Sequence, residues 1–343
     1  MVVGSCVKAG NTKMKEVCPV CSNTNLIPTI CRENLVTMQN YVYCYADEAR
    51  HAKVGKFVLM ICPQCGFSYN ASFNNNLLQY NENYDNSVPS QISETYYREV
   101  ASFLYKNFPI EHGLVIDIGC GKGSFLKILC EKYPTVKGVG IDPSYELSTE
   151  NSSQPNENIS FIQDFFKKEQ INQRPSLIIC RHVIEHIYYP VDFMTKVYLA
   201  LSAFRDIPIF VEVPDLEWIL NQNAFWDFCY EHCNYFTVDS FNNIMELSGF
   251  AVEKTYKAFN RQYIWLKAIT KSAIPLNFNQ WKNTITNDIV EKLQSYAKTE
   301  KILVDKMRYK LQSLSDKRQA TSDKLIYCRV GNGNQRCYFL KFS

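Results

Sequence analysis

The sequence predicts an α/β protein built on a doubly wound parallel sheet, with an antiparallel hairpin at the sheet edge. Three observations predict it. Apolar, β-branched runs alternate with helical patterns along the middle of the chain. One such run ends in a glycine-rich turn that opens a helix, and two late strands follow each other directly. In order, the elements are strand 115–118, helix 125–132, strands 136–141, 159–162 and 177–180, helix 191–203 and strand 207–213. Helix 240–247 follows, stopped by Gly249, and then the paired strands 251–256 and 263–269. We divide the chain into a cysteine-rich module over 15–73, a linker and amphipathic helix over 74–110, the sheet domain over 111–270 and a helical segment over 271–343.

Leu114–Phe125 is the most informative stretch: strand, tight turn and helix start, with Gly119, Gly121 and Gly123 alternating through the turn. Glycines let the backbone turn sharply and approach a ligand that a Cβ would block. The spacing is G-x-G-x-G, with Ser124 where the last glycine of a dinucleotide turn would fall. Asp117 precedes the first glycine and suits a ligand carrying an amine better than a diphosphate. Asp142 ends the next strand roughly 20 residues on, where a ribose-binding acid sits in such sites. Together these point to S-adenosylmethionine, against a purely structural turn. Asp164, after strand 159–162, is placed to meet an adenine amino group; an exposed turn acid is the other reading.

Composition bounds the rest. The 343 residues allow a substantial core, and a net charge of +3 is too slight to argue for nucleic acid or an anionic surface. No apolar run approaches the ~20 residues a membrane span needs. No signal-peptide pattern opens the sequence, so a reducing cytosol is expected, and the 14 cysteines then call for metal ligation or burial. Cys18-Pro-Val-Cys21 and Cys62-Pro-Gln-Cys65 each set two thiolates on one tight turn. Paired, they make a structural Cys₄ zinc site with 25–56 inserted between them. Cys31 and Cys44 lie in that insertion and could compete as ligands, though buried thiols are the expectation.

Two further constellations carry chemistry. After strand 177–180 comes Arg181-His182-Val183-Ile184-Glu185-His186, whose histidines and carboxylate could move protons; His182 could instead line the cofactor pocket. A structural loop is the competing reading. Farther on, Trp226–Phe236 is densest in aromatic and polar residues, with Glu231 and His232 at its centre. An apolar pocket, a histidine base and a carboxylate that orients it would result, or a satisfied polar cluster.

The four-cysteine module, Asp117–Gly123, His182–His186 and Tyr230–Phe236 together resemble the zinc-containing sugar C-methyltransferases, over about residues 15–270. The resemblance implies a class I methyltransferase domain holding S-adenosylmethionine and acting on a nucleotide-linked deoxy-keto sugar. It implies that His232 removes a proton α to a ketone, beside Glu231, and that His186 and Tyr84 position the sugar or its enolate oxygen. The family pattern is Tyr-His-Glu-His, whereas Cys229 and Tyr230 precede Glu231 here. The family also carries a second lobe. Helix 289–314 and a strand-and-glycine-turn pattern over 325–334 are expected to give only an incomplete version of it. Methylation at oxygen or nitrogen of a related small molecule is the runner-up, and a non-catalytic zinc-containing binding protein is the alternative of another class. The sequence does not set the oligomeric state.

Overall fold

In the computed structural model the described residues are 16–39, 43, 45–78, 80, 90–146, 157–270 and 287–319. Their strands are β1 (Ile27–Val36), β2 (Val54–Ile61), β3 (Ser68–Asn70), β4 (Leu114–Ile118), β5 (Lys137–Ile141), β6 (Ile159–Ile162), β7 (Leu177–Arg181), β8 (Pro208–Pro214), β9 (Asn234–Tyr235), β10 (Phe250–Ala258) and β11 (Tyr263–Thr270). The helices are α1 (Ala46–Arg50), α2 (Gln91–Asn107), α3 (Ser124–Lys132), α4 (Pro190–Ala200), α5 (Leu216–Asn221), α6 (Val238–Leu247) and α7 (Asn287–Gln319).

The larger sheet has seven strands in the order β10-β11-β8-β7-β4-β5-β6. Strands β6, β5, β4, β7 and β8 run parallel, while β11 lies antiparallel to β8 and to β10. Successive residues of a strand face opposite sides, and the central strands are apolar on both. Leu177 and Ile179 of β7 pack with Val100 and Leu104 of α2 and Leu126 and Leu129 of α3. Ile178 and Cys180 pack with Met194 and Val197 of α4 and Phe241 and Ile244 of α6. Helices therefore cover both faces, as the alternating pattern requires. α2 begins in a capping box between Ser90 and Ser93 and buries Tyr96, Val100 and Leu104 on one stripe.

The second sheet is antiparallel, in the order β1-β2-β3-β9. The expected insertion after the first cysteine knuckle is a hairpin: β1 returns on β2, with register shifts between Pro28 and Ile30 and between Arg32 and Leu35. Phe57, Leu59 and Ile61 of β2 meet Leu216 and Ile219 of α5 and Ile289, Leu293 and Tyr296 of α7. α7 covers the expected helix 289–314, whereas α5 was not anticipated. Farther along α7, Ile302 and Tyr309 are exposed. Arg32 of β1 pairs with Glu300 of α7 at 2.5 Å and donates to the carbonyls of Phe225 and Phe228. β9 is only two residues long, yet it matters most for the site: it pairs with β3 and so ties the 225–235 segment to the cysteine module.

Cys31 departs from expectation, being disulfide-bonded rather than a buried thiol. Cys130 and Cys180 are buried in the core and Cys120 is half-buried. The strand-and-turn pattern over 325–334 lies outside the described residues. No helix among the described residues is long and apolar enough to cross a membrane.

Candidate active site

The glycine turn leaves the carboxyl end of β4, where ligands of such sheets bind. Gly119, Gly121 and Gly123 all adopt positive φ, at 78°, 56° and 76°. At Gly119 a Cβ would fall 2.2 Å from the Val183 side chain, and at Gly123 it would fall 2.4 Å from the Phe161 ring. At Gly121 it would meet nothing within 4 Å. The turn therefore packs tightly on two sides and is open on the third.

The neighbouring strand end stitches the turn in place. Gly119 N–H donates to the Ile141 carbonyl at 2.8 Å, and Gly121 N–H to Asp142 Oδ2 at 2.8 Å. Asp142 Oδ1 accepts from the Ser144 N–H and hydroxyl at 2.7 and 2.6 Å. Oδ2, which accepts once, keeps a second lone pair for a ligand hydroxyl. Asp117 is buried, and burial pushes its pKa up to about 7 in spite of the nearby Arg181. These groups fit S-adenosylmethionine: an open face at Gly121, a carboxylate for ribose hydroxyls and a buried acid for an ammonium group.

Behind the turn, Glu212 of β8 gathers a polar network. It accepts from Tyr96 Oη at 2.8 Å and Trp265 Nε1 at 2.6 Å, pairs with Arg181 at 3.2 Å, and meets His182 Nε2 at 2.5 Å. Burial opposes the charge, but Arg181 and His182 hold Glu212 down to about 2. His182, at φ 54°, lies between Glu212 and Glu185, its Nδ1 being 3.3 Å from Glu185 Oε1. Burial would lower its pKa, yet the two carboxylates raise it to about 9, so the ring is a cation at neutral pH. Its ring also lies edge-on to Tyr263, 4.6 Å between centroids. His182 thus sits between the cofactor side and the next cluster.

That cluster is assembled from distant segments. A single 3₁₀ turn over Ile184–His186 follows β7, and the loop ahead of β9 carries His232. Asn234 joins them, its side-chain amide donating to the carbonyls of Ile184 and Ile187, while Cys233 Sγ reaches the Glu185 carbonyl at 3.4 Å. The rings of His186 and His232 stand edge to face, 4.9 Å between centroids. Glu185, His186 and His232 each offer one ligand atom within 4.8 Å of the others. Glu185 is 1% exposed, and its Oε2 has no hydrogen-bond partner among the described residues. Burial, then the nearby His186, lower the His232 pKa to about 3, leaving a neutral ring.

Of the expected site residues, the structure brings His182, Glu185, His186 and His232 together. Glu231 turns Oε1 to the Gln39 N–H, and its backbone carbonyl lies 3.1 Å from His186 Nδ1. The carboxylate grouped with the two histidines is that of Glu185. Asp164 pairs with Lys167 at 2.5 Å on a half-exposed turn. Tyr84 lies outside the described residues. Tyr80, which the sequence did not single out, sits with its hydroxyl 3.2 Å from His186 Nδ1. Both tyrosines follow the cysteine module, and nothing local in the sequence separates them.

The two cysteine knuckles are near copies. Ser22 N–H donates to the Cys18 carbonyl at 3.0 Å and Gly66 N–H to the Cys62 carbonyl at 2.8 Å. Ser22 and Gly66 both adopt positive φ. Sγ atoms of Cys18 and Cys65 lie 3.5 Å apart and those of Cys21 and Cys62 3.4 Å, with all four within 4.8 Å. A tetrahedral zinc ion with bonds of about 2.3 Å sets its sulfurs about 3.8 Å apart, so the donor set and spacing fit that ion.

Comparisons with known proteins bear on this arrangement. Residues 91–255, just under half of the chain, match the family model described as "Methyltransferase domain". No curated protein matches the sequence. Among solved structures, human N-acetylserotonin methyltransferase has 15% identity and a TM-score of 0.41, over 52% of this chain and 55% of that one. The riboflavin-derivative dimethyltransferase of Streptomyces davawensis has 14% identity and a TM-score of 0.42, over 51% and 55%. Magnesium protoporphyrin IX methyltransferase of Synechocystis PCC 6803 has 16% identity and a TM-score of 0.40, over 55% and 91%. The chain spans about half the length of the first structures it matches. Residues 91–255 thus resemble a methyltransferase domain, and they lie on the seven-stranded, largely parallel sheet described above.

Proposed function

We propose that the protein transfers a methyl group from S-adenosylmethionine to a small molecule, namely a nucleotide-linked or otherwise activated keto-deoxy sugar methylated at carbon. One observation carries the reading: the glycine turn and the histidine cluster share a wall. Gly119 abuts Val183, two positions before Glu185, so the cofactor side and the Glu185-His186-His232 cluster adjoin. The cofactor, when bound, supplies an electrophilic methyl. Asp117, Asp142 and the open face at Gly121 hold it, with Asp164 and His182 at the edges of that pocket.

The acceptor sits on the other side of the wall. Carbon methylation needs a proton removed next to a carbonyl, and the reading centres that step on His232. Its neutral ring has a lone pair to offer, and in the metal-free form it takes the proton itself. His186, whose Nδ1 faces Tyr80 and the Glu231 carbonyl, orients the acceptor oxygen, together with Tyr84. Cys18, Cys21, Cys62 and Cys65 would hold a structural zinc ion, in the module that β9 ties to the segment carrying His232.

Isotope exchange tests the carbon reading. In heavy water, with the demethylated cofactor product bound, the protein should exchange the proton α to the ketone of a keto-sugar nucleotide without methyl transfer. Turnover with no exchange, and the new methyl on oxygen or nitrogen, would overturn it.

A further inference from the structure

We propose that Glu185, His186 and His232 form a second metal site, one that takes a divalent first-row transition cation. Three observations converge. Each residue presents one donor atom, and the donors lie within 4.8 Å of one another. Donors sharing an ion at about 2.1 Å are roughly 3–4 Å apart, so loading would draw the two loops together by about an ångström.

The second observation concerns the atoms that would not bind. A metal-ligating histidine almost always has its other ring nitrogen held by a carbonyl or carboxylate. His186 Nδ1 is held by the Glu231 carbonyl at 3.1 Å, which leaves Nε2 to face the cluster. His232 is engaged by the backbone carbonyl of Asp227. Glu185 Oε1 is held by His182 Nδ1 at 3.3 Å. All three residues are thus already held by a neighbouring group.

The third observation is the other carboxylate oxygen of Glu185. Oε2 is fully buried and has no hydrogen-bond partner among the described residues, in a residue that is 1% exposed. A buried carboxylate oxygen left unmatched is a costly arrangement, and a cation at the cluster removes the cost. Two imidazoles and one carboxylate favour zinc, manganese, iron(II) or cobalt(II) over calcium or magnesium, which prefer oxygen donors. Three protein donors leave positions open for water or an acceptor oxygen.

Only the use of the cation rests on the methyl-transfer reading. A carbonyl or hydroxyl oxygen on the open positions would be polarised and its neighbouring proton acidified. His232 would then act as a ligand and no longer as a free base.

Cobalt(II) titration of the zinc-loaded full chain tests the site. One further equivalent is expected, with weak d–d absorption and none of the intense thiolate-to-cobalt bands that cysteine ligation gives. Glu185→Gln and His186→Ala should each weaken that equivalent more than about tenfold. Both should retain the cysteine-bound zinc and bind S-adenosylhomocysteine normally, which shows them folded. Absence of the extra equivalent in the wild type, or its survival in both variants, would overturn the proposal. Failure of the methyl-transfer reading has its own signature, a wild-type protein that does not bind S-adenosylhomocysteine.

Discussion

The glycine turn and the histidine cluster are neighbours built on opposite principles. The turn is local: residues 117–144 supply its hydrogen bonds, and two adjacent parallel strands hold it. The cluster is composite, since residues 80, 185, 186, 231 and 232 meet only because β9 pairs with β3 and Asn234 bridges two loops. A local site tolerates change elsewhere in the molecule. A composite one inherits the stability of everything that brings its parts together.

The sharpest way to separate the two halves is to remove His232. The His232→Ala variant should lose roughly 10²–10⁴ in turnover, the range for a positioned proton-transfer group. Its affinity for S-adenosylhomocysteine by calorimetry should stay within about twofold of wild type. A matching loss of cofactor affinity would show that the halves are not separable.

Legibility in the sequence follows the same division. The turn, Asp117 and Asp142 could be read directly because backbone geometry demands glycine at fixed local offsets. The edge hairpin and the alternation were legible for a similar reason, since period and order are written along the chain. His186 and His232 were each visible, but not that Glu185, rather than Glu231, supplies the carboxylate between them. That choice depends on tertiary pairing of a strand only two residues long, which leaves no periodic trace. α5 escaped notice for the same reason, six residues being too short to show a helical period.

The next break is at the cysteines. Cys62→Ser should release zinc and unfold the module, because metal binding there is folding free energy. Metal analysis should find the ion gone and circular dichroism should show lost strand signal. If the cluster is composite as described, turnover should fall with it while cofactor affinity survives. Wild-type protein purified without zinc would refute the assignment.

A smaller effect tests the local half alone. Gly123→Ala should cost about 1–3 kcal/mol in thermal unfolding, from positive φ and collision with the Phe161 ring. Gly121→Ala meets no atom and should cost only about 1–2 kcal/mol, yet it fills the open face and should weaken cofactor binding more. Equal cofactor affinities in the two variants would argue that the open face is not the cofactor's.

The mildest test is pH. Burial raises Asp117 to about 7, whereas an unfolded chain ionises it near 4. Between about pH 4 and 7 the folded form holds a proton the unfolded form lacks. This contribution to stability is therefore full below about pH 4, declines between about pH 4 and 7, and is lost above about 7. Cofactor binding should run the other way, strengthening a few-fold from pH 6 to 8 as the carboxylate becomes available to an ammonium group. Asp117→Asn should flatten both slopes, and unchanged slopes would remove Asp117 from the cofactor site.

Arg32 has a consequence for how the protein should be handled. Its guanidinium joins Glu300 of α7 to the carbonyls of Phe225 and Phe228, on the segment that leads to His232. A chain shortened before α7 would strand a largely buried cation without its counter-charge and uncover Phe57, Leu59 and Ile61. The last helix is thus a brace for the segment that leads to His232. Trimming the protein to the 91–255 segment would keep the cofactor turn and discard the support of the chemistry beside it.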